Sequence, residues 1–90
     1  MAHMKDWNTH AMAVRVAPAQ KMVLLALARE ADADGRCEQT AAQLARVAGT
    51  SPRTIWRALD ALEKGGYLQR EAAREGFSGN AYRLLLGAKK

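Results

Sequence analysis

Residues 40–64 read TAAQLARVAGTSPRTIWRALDALEK, and the order of these residues spells two helices joined by a glycine turn. Thr40 and Gln43 have the spacing of a capping box. The Thr hydroxyl can accept from the Gln43 amide while the Gln43 side chain reaches back. The helix they open runs to about Val47, and Gly49 stops it. Ser51 then serves as N-cap with Pro52 at the first helical position, where a missing N–H costs nothing. The helix that follows extends to about Lys64, with Ile55, Ala58, Leu59 and Leu62 on one stripe. Two helices crossing steeply need a small residue at their approach, a glycine in the turn and a branched residue inside the second helix. Ala45, Gly49 and Ile55 stand at those offsets, and Leu44, Ala48 and Ala58 supply the flanking buried positions. The pattern is that of a DNA-binding helix-turn-helix; the plainer alternative is an αα-hairpin inside a small helical domain.

Working outward, Gly65-Gly66 ends the helix, and two strand candidates follow at Tyr67–Glu71 and Ala81–Leu86, joined by a glycine-bearing polar loop. Upstream, Pro18 precedes a helix predicted over Ala19–Ala33. Its run Met22–Ala28 is apolar around most of its circumference, which predicts a central helix covered on several sides. Asp32-Ala-Asp-Gly-Arg36 closes that helix, and Arg36–Gln39 is a short strand or an extended link. The opening MAHMKDWNTHAM lacks periodicity, with Trp7 as its one large anchor. Met1–His3 read as an addition ahead of a start at Met4.

The expected fold is therefore mainly α with a small antiparallel β-hairpin: a winged helix-turn-helix, with a three-helix core plus a wing. The expected layout is an N-terminal arm over 1–16, a winged-helix DNA-binding domain over 17–87 and a basic tail over 88–90.

Composition fits one such domain. Ninety residues leave no room for a second core, and of the 44 hydrophobic residues 19 are alanine. That makes one thin core without space for a large buried active site. The single Cys37 rules out a disulfide framework and suits a reducing cytoplasm. The longest apolar run, Met22–Ala28, is far short of a membrane span. Fourteen Lys/Arg against nine Asp/Glu give a formal charge of +5, and the excess is uneven. Residues 1–49 hold six basic and five acidic groups, whereas residues 50–90 hold eight and four. A polyanionic partner would meet the second half.

The stretch KMVLLALAREADADGRCEQTAAQLARVAGTSPRTIWRALDALEKGGYLQRE, residues 21–71, resembles the winged-helix domains of phage and plasmid replication initiators and related bacterial regulators. The likeness extends over about residues 7–72. It rests on a Trp-containing arm, a K-x-V-L-L-x-L-A helix from Lys21, an acidic link with Gly35, and L-A-x-x-x-G-x-S-x-R-T from Leu44 to Thr54. One departure is Glu38-Gln39-Thr40, where that family often carries an aromatic-Pro-Ser. The resemblance implies prokaryotic double-stranded DNA binding, shared by repressors and replication proteins alike.

With Ile55, Leu59 and Leu62 turned inward, Arg53, Thr54, Trp56 and Arg57 face outward with Ser51 at the helix start. Either arginine suits guanine or a phosphate, and Thr54 suits a thymine methyl or a phosphate. Trp56 either packs against the wing or the second helix, or it contacts DNA or a dimer partner. Thr40 and Gln43 bring an amide-rich helix start toward a phosphate. Arg74, Ser78 and Asn80 mark the wing tip, where a solvated loop is the plainer reading. The function expected is sequence-specific duplex DNA binding by a transcriptional regulator; the alternative is the DNA-binding module of a phage or plasmid replication initiator. A winged helix used for protein–protein contact comes third, and Arg53 and Arg57 argue against it. A homodimer is open, through the apolar first helix or the Trp7 arm. No enzyme, cofactor, metal or small-molecule substrate is expected. His3 and His10 lie in the arm, Cys37 reads as a small buried residue, and no phosphate-cradling glycine motif is present. The expected location is cytoplasmic, on the nucleoid when DNA is bound.

Overall fold

The computed structural model describes residues 7–77 and 79–86, so Met1–His3, Ser78 and the basic tail lie outside the described residues. Its elements run α1 (Trp7–Ala13), α2 (Pro18–Glu30), β1 (Arg36–Gln39), α3 (Ala41–Ala48), α4 (Pro52–Lys64), β2 (Leu68–Glu71) and β3 (Asn80–Leu84). This is a winged helix: a helical core with a three-stranded antiparallel sheet in the order β1-β3-β2.

The caps fall where the side chains predict them. Thr40 Oγ1 accepts from the Gln43 amide at 3.0 Å, and Gln43 Oε1 accepts from the Thr40 amide at 2.8 Å. Gly49 adopts φ 73°, and the Thr50 amide returns to the Ala45 carbonyl. That left-handed residue turns the chain from α3 into α4. Ser51 Oγ accepts from the Thr54 amide at 3.2 Å, with Pro52 in the first turn of α4. At the far end of α4 the Gly66 and Tyr67 amides bond the Glu63 and Leu62 carbonyls, the paired bonds of a Schellman cap. Tyr67 therefore belongs to the helix end, and β2 starts at Leu68.

The core is α2, α3 and α4 closed by one face of the sheet. Val23, Leu24, Leu27, Leu44, Ile55, Leu59, Leu62, Leu68 and Tyr82 are fully buried. Cys37, Tyr82 and Leu84 point inward from the sheet; Arg36, Glu38, Glu71 and Arg83 point outward. β1 is a true strand, paired with β3 in the register Cys37 to Tyr82, so the sheet has one strand more than the hairpin.

Two expectations need correction. The arm is not irregular, because residues Trp7–Ala13 form α1. Only Trp7 and Ala11 of that helix are buried, too few to print a period on the sequence. Its C-terminus is capped from elsewhere. Lys21 Nζ donates to the carbonyls of Ala11 (3.1 Å), Met12 (2.6 Å) and Val14, a cation on the negative end of the helix. Second, α2 stops at Glu30 instead of Ala33. The Asp32 carboxylate takes the amides of Asp34 and Arg36, at 2.9 and 3.0 Å, and so builds a competing turn. As expected, α2 is central and packed on several sides, against α1, α3, α4 and the sheet, with one flank left open. Met22 is exposed and Leu25 half-buried, and with Asn8, Ala26, Arg29 and Val47 they line an open groove of about 320 Å³.

Candidate nucleic-acid interface

The stripe of α4 opposite its buried residues runs Arg53, Trp56, Arg57, Asp60, at spacings of three and four that share one helix face. All four are exposed. Its N-terminal half is cationic, and among the described residues neither Arg53 nor Arg57 has an ion-pair or hydrogen-bond partner. Arg15 and Arg46 share that state, on the link before α2 and on α3. The other arginines of the second half are engaged within the protein. Arg70 pairs with Asp60 and, at 3.2 Å, with Glu63. Arg74 pairs with Glu38 at 3.1 Å, and Arg83 with Glu71 at 2.6 Å.

Trp56 sits at the junction of α4 and the sheet. The Arg70 guanidinium from β2 lies 5.7 Å from its ring centroid, so the ring packs partly against the wing strand while 39% of the residue stays exposed. Of the readings open for Trp56, the structure bears out packing against the wing. Arg70 also pairs with the exposed Asp60 and Glu63, offsetting the acidic charge that would oppose a polyanion along α4. The sequence reading missed Arg70. The available signal was its inward position in β2, one strand step beyond buried Leu68, opposite a helix with acidic groups at positions 60 and 63.

Ser51 and Thr54 form a local pair at the start of α4. Ser51 Oγ donates to Thr54 Oγ1 at 3.2 Å while accepting the Thr54 amide. Thr40 and Gln43 are likewise committed to each other in the capping box, which fixes the start of α3. The wing leans on that start: a Cβ built on Gly79 would lie 2.9 Å from Thr40 Cγ2 and 2.8 Å from the Gln39 carbonyl. Asn80 enters β3 opposite Gln39. The structure therefore brings together Thr40, Asn80 and the root of the wing on one side, and Ser51, Arg53, Thr54, Trp56 and Arg57 along α4 on the other.

Arg74 is the basic group of the wing, and it is not a free cation. Its backbone amide donates to Glu38 Oε2 at 2.8 Å, and its guanidinium lies 5.4 Å from the Phe77 ring centroid. That amide bond, with the guanidinium of Arg74 and that of Arg36 beside it, holds the Glu38 carboxyl below the usual carboxylate range. Glu71 is held low in the same direction, chiefly by its hydrogen bonds from Arg83 and Arg36.

The groups weighed for chemistry fare differently. Burial, reinforced by Glu30 and Asp32, pushes the Cys37 thiol up to about 12, which keeps it protonated. Among the described residues no group of three His, Cys, Asp or Glu stands together to hold a metal, and no helix is long and apolar enough to cross a membrane.

A free cationic stripe on the second helix of a helix-turn-helix, with a wing beside it, is the geometry of a DNA reader. The family model of the MarR family matches residues 16–76, from the link before α2 into the wing. The chain belongs to the MarR family. Proteins of the MarR family are winged-helix DNA-binding transcriptional regulators, and that is the class of this chain. No curated protein and no solved structure matches the chain. The MarR match supports the regulator side of the resemblance seen in the sequence, and lends nothing to the replication initiators.

Proposed function

We propose that this MarR-family chain binds duplex DNA sequence-specifically, with α4 in the major groove. The observation that carries the reading is the state of Arg53 and Arg57: exposed, one helical turn apart, and without an internal partner. A guanidinium already held by a carboxylate must give up that pair before it reads a base, and these two have nothing to give up. Arg57, flanked by Trp56, is assigned to a guanine edge, and Arg53 to a base or a phosphate near the helix start. Thr54 and Ser51 contact the backbone or a thymine methyl from the first turn. Thr40 and Gln43 present the start of α3 to a phosphate, and Asn80 and Arg74 contact the backbone from the wing.

MarR-family regulators commonly act as dimers, which would place two α4 helices on half-sites about one DNA turn apart. Selection of bound sites from random duplex DNA tests the reading in one experiment. A defined motif is expected, with two-fold symmetry if the protein binds as a dimer. Recovery of no motif above background would sink sequence-specific reading.

A further inference from the structure

Glu38 comes from β1, remote in sequence from the wing, yet its carboxylate is the point on which the wing root is fastened. The side chain is 10% exposed. Oε2 accepts from the Arg74 backbone amide at 2.8 Å and from Arg36 Nη1 at 3.3 Å, and Oε1 pairs with Arg74 Nη1 at 3.1 Å. Arg36 adds a second tie, donating from Nη2 to the Ala72 carbonyl at 2.9 Å and from Nε to Glu71 at 3.2 Å. Arg83 closes the cluster on Glu71. Two residues of β1 thus grip the backbone at positions 72 and 74, where the chain leaves β2.

The charges in this cluster are uneven. Arg36, Arg74 and Arg83 face Glu38 and Glu71, so one cation is in surplus. Arg74 is the one that can leave. Its side chain is 71% exposed, against 30% for Arg36 and 36% for Arg83, and its departure leaves two arginines balanced by two carboxylates. The backbone bond from Arg74 to Glu38 does not depend on where the guanidinium points. The wing root can stay fastened while the guanidinium moves to another anion.

We propose that Glu38 is the resident counter-ion of the wing: it holds the Arg74 guanidinium in the DNA-free protein, yields it to a backbone phosphate on binding, and so sets how tightly the wing grips DNA of any sequence. The proposal rests on the DNA-binding reading above and adds a residue outside the contact surface that tunes it. Phosphate competes with Glu38 for one guanidinium, so the contact contributes less affinity than an unengaged arginine would.

Glu38→Gln is the direct test, because the amide oxygen can still accept the Arg74 N–H while the charge is gone. Binding to an unrelated duplex should tighten by about three- to tenfold at low salt, with a salt dependence steeper by up to about one unit of slope. The gain should disappear when Glu38→Gln is made in an Arg74→Ala background. Unchanged affinity, or a gain that survives loss of Arg74, overturns the proposal. The unmodified protein gives a second reading that needs no variant to fold. On adding duplex, the Arg74 side-chain NMR signal should shift while its backbone amide stays protected from exchange. A duplex that binds without moving that signal overturns the Glu38 proposal alone. A protein that binds no duplex at any salt overturns the DNA-binding reading, and this proposal with it.

Discussion

The Trp7 indole lies against Gly35 so closely that a Cβ placed on the glycine would stand 2.8 Å from two of its ring carbons. The same indole donates from Nε1 to the Asp32 carbonyl at 2.8 Å, so α1 is pinned to the turn between α2 and β1. Gly35 also has φ +83°, which side-chain-bearing residues rarely adopt. Gly35→Ala therefore meets two penalties together, backbone strain and overpacking, and should cost about 2–4 kcal/mol in urea unfolding. Gly49 has φ +73° but open space around it, so Gly49→Ala should cost only the strain, about 1–2 kcal/mol. In a Trp7→Leu background the Gly35→Ala cost should shrink. Equal costs at Gly35 with and without Trp7 would show that the ring is not the obstacle.

Acid should loosen the outer face of the sheet. Glu71 and Glu38 are held below the usual carboxylate range by their arginine and amide donors, so both are more acidic folded than unfolded. Their contribution is full above the unfolded carboxylate value, about 4.3, and is lost as pH falls through the lower folded values. Thermal stability should be flat with respect to these groups from pH 7 to about 5 and should decline below about 4. Glu71→Gln should flatten that decline; an identical acid limb in the variant would remove Glu71 as its cause.

Cys37 should be silent as a thiol in the folded protein. It is buried against Tyr82 in the neighbouring strand, and burial pushes it up to about 12. A disulfide reagent at pH 8 should react only at the rate of global unfolding, and fast once urea is added. Because the unfolded thiol ionises first, stability should also fall as pH rises past the ordinary thiol value of about 8.5. Rapid labelling of the native protein would contradict the burial.

The helix-turn-helix was legible because its determinants are local. Thr40, Gln43, Gly49, Ser51 and Pro52 act on amides within a few residues, so their spacing carries the whole argument. The helix α1 was not legible, since its cap is Lys21 and its anchor site is Gly35, neither of them in the segment itself. The wing shows the same division. Its strands were legible from the glycines that stand before each of them, but the partner of Arg74 is Glu38, 36 residues away. Charge counting marked the second half as basic; only the fold shows that Arg70, Arg74 and Arg83 are engaged and that Arg53 and Arg57 are not.

Thr40→Ala removes one half of a reciprocal pair. It frees the Gln43 amide, while the backbone amide of residue 40 can still donate to Gln43 Oε1, so about 1 kcal/mol of stability should be lost. Thr40→Ser keeps the oxygen and should recover most of it. A denaturation midpoint unmoved by Thr40→Ala would mean that solvent satisfies the start of α3 equally well.

Arg53 and Arg57 separate reading from holding. Both lie on the exposed stripe of a helix whose opposite side is fixed by Ile55, Leu59 and Leu62, so neither is needed for the core. Arg57→Ala and Arg53→Ala should leave the unfolding midpoint within about 0.5 kcal/mol of the parent. A guanidinium bound bidentately to guanine contributes roughly 1–3 kcal/mol of discrimination, whereas a phosphate contact contributes affinity without reading sequence. Arg57→Ala should thus weaken binding to the selected site by about 10- to 100-fold, relax preference at one base pair, and change binding to unrelated duplex far less. Arg74→Ala should weaken every duplex alike and lower the salt slope by up to about one unit, as the proposed phosphate contact requires. Fluorescence anisotropy on the selected site and on unrelated duplex, across a salt series, distinguishes the two patterns. If Arg53→Ala and Arg57→Ala both bind the selected site as the parent does, α4 is not the reader, and its two free arginines must face something other than a base pair.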